Sequence, residues 1–236
     1  MALSDPDTRA PPGYRRVSEA MSLAPRIFRS FGHLGPRGPE DGPPALVVPG
    51  FIATDRTTME LRRAFAEAGF RTYPWALGVN RGARPDTLDR LQRRLDQIGG
   101  DQPVLLVGWS LGGLFARELA RACPERISAV VTLGSPFSGD PRANNVWRLY
   151  EWVAGHPVDR PPLPRLPEKP PVPALAFWSR RDGIIAPASA RGAPDETDRA
   201  VELRSNHMGF GVSRPITRQV AVETRRFLEE RGLPRP

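Results

Sequence analysis

The stretch Val104-Leu105-Leu106-Val107-Gly108-Trp109-Ser110-Leu111-Gly112-Gly113 constrains the fold more than any other part of the chain. A short apolar run leads into a Gly-x-Ser-x-Gly turn, and apolar residues at helical spacing (Leu114, Phe115, Leu119, Ala120) follow directly. This order predicts a buried strand, a sharp turn and a helix. A serine at the apex of so tight a turn takes a strained, positive φ, and Gly108 and Gly112 offer no Cβ to obstruct the facing strand and helix. The Ser110 hydroxyl then stands clear of the sheet edge, and the Leu111 N–H points from a helix N-terminus at any negative charge developing there. The plainer alternative is a glycine-rich turn with a solvated serine.

The chain on either side repeats the alternation of strand and helix. Residues 45–48 form an apolar run that ends in the turn Pro49-Gly50-Phe51-Ile52. Thr54 or Asp55 offers a cap for a helix over about 56–68, which Gly69 stops. A second strand over 70–75 precedes a helix opening at Pro85 or Asp86 and amphipathic through Leu88, Leu91, Leu95 and Ile98. Further strands are expected at 127–133, 173–178 and 200–203, with a loop over 204–211 and a terminal helix over 215–230. The fold class is therefore α/β: a mostly parallel central sheet with helices on both faces, joined by right-handed crossovers.

The rhythm breaks over 138–172. Val146, Leu149, Tyr150 and Val153 share one helical face flanked by Trp147 and Trp152, and a proline-rich run follows. A connection of this length in a compact domain reads as a helical lid, with a helix merely docked on the core as the alternative. Residues 1–44 read as an N-terminal arm and helix: a polar, proline-rich start, helical spacing over 17–31 broken by Pro25, then a loop. Residues 45–236 read as one domain.

A net charge of +8 raises the question of a polyanionic partner, but 33 of the 34 basic residues are arginine, scattered among acids in the predicted helices. No nucleic-acid partner is expected from that pattern. The single cysteine, Cys123, excludes an internal disulfide and suits a reducing compartment. With no apolar targeting segment and no run of membrane-spanning length, a cytoplasmic location and no integral membrane segment are expected. No histidine or carboxylate pair shows metal-ligand spacing and no phosphate loop is present, so neither a metal nor a cofactor is expected.

A serine hydroxyl needs a base within reach and a carboxylate to orient that base. Of three histidines, His33 lies before the first strand and His156 in the insertion, while His207 follows the last strand at the carboxyl edge of the sheet, where open α/β sheets bind ligands. His207 is the candidate base. Asp182, just after the penultimate strand, is the candidate acid in the order nucleophile, acid, histidine; Asp140 is the alternative. The N–H groups of Phe51 and Leu111 are the candidate oxyanion donors. Trp109, Phe137, Met208 and Phe210, together with the insertion, are expected to supply an apolar acyl pocket.

Five blocks together, Val48-Pro49-Gly50-Phe51, Gly108 to Gly113, Leu133-Gly134-Ser135-Pro136-Phe137, Ser179-Arg180-Arg181-Asp182-Gly183 and Asn206-His207-Met208-Gly209, resemble the α/β-hydrolase superfamily, and within it the bacterial esterase and lipase-like members. The resemblance implies Ser110 as nucleophile, Asp182 as acid and His207 as base. It departs from the family at two points. The frequent His-Gly of the oxyanion turn is Pro49-Gly50, and the two N-terminal strands of the full fold are not legible before Ala45. The implied function is carboxylic ester hydrolysis through an acyl-enzyme on a small-molecule or lipid ester. Acyl transfer or thioester cleavage on the same fold, and a non-catalytic small-ligand-binding protein, are the alternatives.

Overall fold

The computed structural model describes residues 6–13, 15, 19, 35, 37–98, 100 and 102–233. Six strands form its sheet: β1 (Pro44–Val48), β2 (Arg71–Pro74), β3 (Val104–Trp109), β4 (Ile127–Leu133), β5 (Ala174–Trp178) and β6 (Arg199–Glu202), in the order β2-β1-β3-β4-β5-β6. Every pair is parallel. The helices are α1 (Met59–Glu67), α2 (Thr87–Ile98), α3 (Leu111–Ala122), α4 (Trp147–Ala154), α5 (Pro187–Arg191), α6 (Gly209–Val212) and α7 (Arg214–Glu229).

The strands are apolar without interruption because both of their faces are covered. Leu46, Val48, Leu106 and Val130 point to the side of α2 and α3, whereas Val47, Leu105, Val107, Trp109 and Val131 point to the side of α1, α6 and α7. The spacing that predicted α2 has a direct consequence: Leu91, Leu95 and Ile98 fall on one face and are buried. Each such side chain contributes about 1.5–3 kcal/mol of hydrophobic stabilisation.

Register sets the position of everything downstream. Val48, Gly108, Thr132, Ala176 and Ala200 lie in one row across five strands. Residues that follow this row therefore emerge along one carboxyl edge, and Phe51, Ser110, Asp182 and His207 all do so.

Two expectations change. Neither Thr54 nor Asp55 caps α1, which starts only at Met59 with Thr58 before it and no side-chain cap. Asp55 instead accepts N–H groups from Trp75 (2.9 Å) and Ala76 (3.1 Å), fastening the exit of β2. Burial pushes its carboxyl above the usual range despite these bonds. The loop expected over 204–211 contains α6, a single turn that packs Phe210 into the core. No strand precedes β1 among the described residues; Arg37 forms an isolated antiparallel bridge to Thr72 of the edge strand β2. The helix expected over 17–31 lies outside the described residues, Glu19 excepted.

The insertion over 138–172 carries α4 and no strand. Its far end is held by Arg117 of α3, which is 1% exposed and donates to the carbonyls of Pro167 and Glu168 at 2.8 Å each and to that of Glu196 at 3.1 Å. The guanidinium also lies 4.2 Å from the centroid of the Phe137 ring. Desolvation brings its pKa down to about 10, which leaves it charged at neutral pH.

Candidate active site

Ser110 occupies the turn between β3 and α3 with φ 54 and ψ −122, one of three non-glycine residues with positive φ among those described. The cost of such a conformation is of order 1–3 kcal/mol, and the surroundings impose it. A Cβ on Gly108 would lie 2.4 Å from Gly112 O and from Gly113 Cα, so the strand can meet the helix this closely only without a side chain there. The Ser110 N–H donates to Leu133 O at 2.8 Å, which fixes the turn to the end of β4. Although Ser110 is the N-cap residue of α3, its side chain makes no capping bond. A serine in that position normally spends its oxygen on its own helix; here the hydroxyl is left for another partner.

His207 and Asp182 form a buried pair at the same edge. Nδ1 of His207 lies 2.8 Å from Oδ2 of Asp182, and the two residues are 3% and 1% exposed. The other Asp182 oxygen accepts the N–H groups of Ile184 and Ile185, both at 2.8 Å, so the carboxylate cannot swing. With Nδ1 engaged by the carboxylate, the tautomer leaves Nε2 as the ring atom able to take up a proton. Burial alone would lower the histidine pKa, but the attraction of Asp182, its hydrogen bond and the charge of Glu19 outweigh that effect and raise it above 6.5. Trp109, the residue before Ser110, donates through Nε1 to His207 O at 3.2 Å and sets its ring 6.0 Å from the imidazole. Gly134 lies between the two halves of the site. With φ 54, it has a position from which a Cβ would touch Asp182 Oδ2 and His207 Nδ1, each at 3.1 Å.

The turn after β1 lies against Ser110, since a Cβ on Gly50 would be 3.1 Å from Ser110 Cβ. Among the described residues neither the Phe51 nor the Leu111 N–H has a hydrogen-bond acceptor. Ile52, held at φ 58, donates to Asn80 O at 2.7 Å, and the buried Asn80 side chain donates back to Pro49 O at 2.8 Å. Asn80 thus holds the turn in shape. Two free N–H groups near a serine at a helix N-terminus can stabilise an oxyanion.

An apolar cavity opens beside Ser110, lined by Phe51, Leu111, Leu114 and Phe115 from the core and by Val146, Trp147, Tyr150, Val158, Leu163 and several prolines from the insertion. The four side chains expected there do not line it. Trp109, Phe137, Met208 and Phe210 are 3%, 0%, 9% and 0% exposed and belong to the interior. Strand alternation is the reason for Trp109, which follows Leu105 and Val107 onto the sheet face opposite α3; Met208 and Phe210 pack into that same core. Phe137 is covered by Arg117. Proximity in sequence to a functional residue did not decide where these rings point.

Residues 62–160 match the family described as alpha/beta hydrolase fold. The structure superimposes on naproxen esterase (carboxylesterase NP) from Bacillus subtilis with a TM-score of 0.59, at 18% identity, covering 95% of this chain and 99% of that one. Carboxylesterase CesB from Bacillus subtilis gives a TM-score of 0.57 at 13% identity, over 89% of this chain and 98% of that one. The thioesterase domain from the curacin biosynthetic pathway gives 0.57 at 13% identity, over 79% and 93%. The chain has the α/β-hydrolase fold. No curated protein matches it in sequence.

Within the α/β-hydrolase fold, none of the remaining sequence candidates is hydrogen-bonded to Ser110, Asp182 or His207 among the described residues. Asp140 accepts the N–H of Arg142 at 2.8 Å in an exposed turn. His156 contacts Tyr150 OH at 3.4 Å and Ala83 O at 3.1 Å beside the insertion helix, and His33 lies outside the described residues. Cys123 is buried, with Sγ donating to Leu119 O at 3.2 Å. No group of three His, Cys, Asp or Glu side chains among the described residues is placed to hold a metal, and no described helix is long and apolar enough to cross a membrane. Sequence reasoning missed Asn80 and Glu19, both polar side chains that act on backbone atoms far away in the chain. No local pattern marks either one.

Proposed function

We propose that this α/β-hydrolase-fold chain is a serine hydrolase that cleaves carboxylic esters through an acyl-enzyme. The observation that carries the reading is the Ser110 hydroxyl, uncommitted at the apex of a strained turn, on the same sheet edge as a buried imidazole–carboxylate pair. Ser110 Oγ attacks the ester carbonyl while His207 takes its proton at Nε2 and returns it to the departing alcohol; water then repeats the sequence on the acyl-enzyme. Asp182 holds the tautomer and stabilises the imidazolium, and the Phe51 and Leu111 N–H groups receive the oxyanion. The apolar cavity takes the acyl chain, and the insertion that walls it acts as a lid whose residues, Trp147 and Tyr150 above all, set the accepted length.

The test is turnover of nitrophenyl esters of increasing chain length by the wild-type protein and by Ser110→Ala. Wild-type turnover that Ser110→Ala abolishes supports the reading; no turnover of any ester, or full activity in the variant, refutes it. Thioester cleavage shares every step up to the acyl-enzyme, and its likeness to a thioesterase domain makes a parallel series of thioesters the comparison that assigns the leaving group.

A further inference from the structure

Glu19 is 4% exposed, and the proposed mechanism gives it no task. Its Oε1 accepts two N–H groups, from Gly183 at 2.9 Å and from His207 itself at 2.8 Å; its Oε2 accepts that of Met208 at 2.9 Å. One oxygen thus joins the residue after the acid to the base, although these lie 164 and 188 positions away in the chain. We propose that Glu19 is a positioning residue, a second buried carboxylate that clamps the Asp182 loop and the His207 loop together. The inference rests on the assignment of His207 as the base.

The surrounding contacts are built for this clamp. A Cβ on Gly183 would lie 2.8 Å from Arg15 O and 2.9 Å from Glu19 Oε1, so the acid loop carries glycine where the N-terminal segment seats. Arg15 Nη1 donates to Arg180 O at 2.5 Å, and Asn145 Nδ2 donates to both Pro11 O and Gly183 O at 2.8 Å. Arg15 directly and Pro11 through Asn145 are therefore tied to the acid loop on both sides of Asp182. A carboxylate is the side chain the site requires: it has only acceptors, and three donors converge on it. Glutamine would place an NH₂ against one of those N–H groups, and aspartate is one methylene too short to reach them.

The clamp also acts through charge. Among the described residues, the charged groups facing His207 are Asp182 and Glu19; Trp109 and Gly134, which pack on it from the ends of β3 and β4, carry none. Glu19 therefore favours the imidazolium that forms when Ser110 is deprotonated. Removing its charge lowers the histidine pKa and moves the acid limb of the kcat/KM profile to lower pH. A side chain that only filled space would leave that limb in place.

The experiment uses the full chain with Glu19→Gln, Glu19→Asp and Glu19→Ala, assayed on a short nitrophenyl ester across pH, with the imidazole protons of His207 titrated by NMR. Glu19→Gln is expected to fold, to lose roughly tenfold in kcat with KM little changed, and to lower both the acid limb and the His207 titration midpoint. Glu19→Asp is expected to lose kcat while its charge keeps the midpoint near the wild-type position. Should Glu19→Ala fail to fold, Glu19→Gln still decides. Wild-type kcat and an unmoved midpoint in Glu19→Gln overturn the inference. The NMR titration is read whether or not the ester turns over, so a lowered midpoint in a protein inactive on esters upholds the clamp while the ester reading fails.

Discussion

Replacing Gly134 with alanine tests the placement of the buried pair directly. Gly134 sits at φ 54, where an L-residue costs about 1–2 kcal/mol relative to a right-handed conformation. The new Cβ would lie 3.1 Å from both Asp182 Oδ2 and His207 Nδ1, about 0.4 Å inside the ~3.5 Å at which such contacts become favourable. Backbone strain alone lowers Tm by roughly 2–8 °C for a chain of this size. The methyl group cannot be accommodated without parting the two atoms it touches, because Asp182 is pinned by Ile184 and Ile185 N–H groups. A displacement of a few tenths of an ångström at the base is expected to lower kcat/KM roughly tenfold. Calorimetry and nitrophenyl ester kinetics on the same preparation read both effects. A variant with wild-type Tm and wild-type kcat/KM would show that Gly134 does not lie over the His207–Asp182 pair.

Four further outcomes follow from the geometry. Because the His207 pKa is raised above 6.5 in the fold, the acid limb of kcat/KM is expected above that value. The stability His207 contributes relative to His207→Gln is present in full below 6.5 and lost as pH rises through the folded value, so urea unfolding of the two proteins should converge at alkaline pH. Ile52, 49% exposed at φ 58, is expected to accept glycine with Tm unchanged or slightly raised, since about 1–2 kcal/mol of strain is relieved against ~0.5–1 kcal/mol of added chain entropy. Its kcat falls as the turn loosens, and a lowered Tm with unchanged kcat would contradict this. Arg117→Met is expected to change global stability by less than about 2 kcal/mol, as relief from burying a charge offsets the lost hydrogen bonds. Limited proteolysis over 161–172 should accelerate, and an unaltered cleavage pattern would refute the anchoring role.

The parts legible in the sequence were those written in local periodicity. Ile127–Leu133 reads as a buried strand because all seven residues are covered on both faces, and Leu91, Leu95 and Ile98 announce α2 by their spacing. Ser110, Asp182 and His207 come to one edge because each follows a strand and every strand is parallel, which alternation with helices already implies. What failed was direction. Trp109 looks like a pocket residue until strand alternation turns it toward α1 and α7, and Asp55 looks like a cap until the chain folds back and brings Trp75 N–H to it. Asn80 and Glu19 were invisible for a related reason: each bonds to backbone amides or carbonyls, which every residue possesses, so no side-chain partner appears elsewhere to complete a pattern.

The Glu19 contacts also rank the parts of the site by how much chain each one needs. Ser110 is held by Leu133 O, a contact across a short span of chain. His207 meets Glu19 across 188 positions, a loop whose closure costs about 5 kcal/mol of chain entropy unless the sheet between has already formed. In the proposed mechanism the seating of His207 therefore depends on segments 188 positions apart, whereas the Ser110 turn depends only on the neighbouring strand. Turnover of an ester by Ser110 and His207, as proposed, would then report that both ends of the sheet are in place.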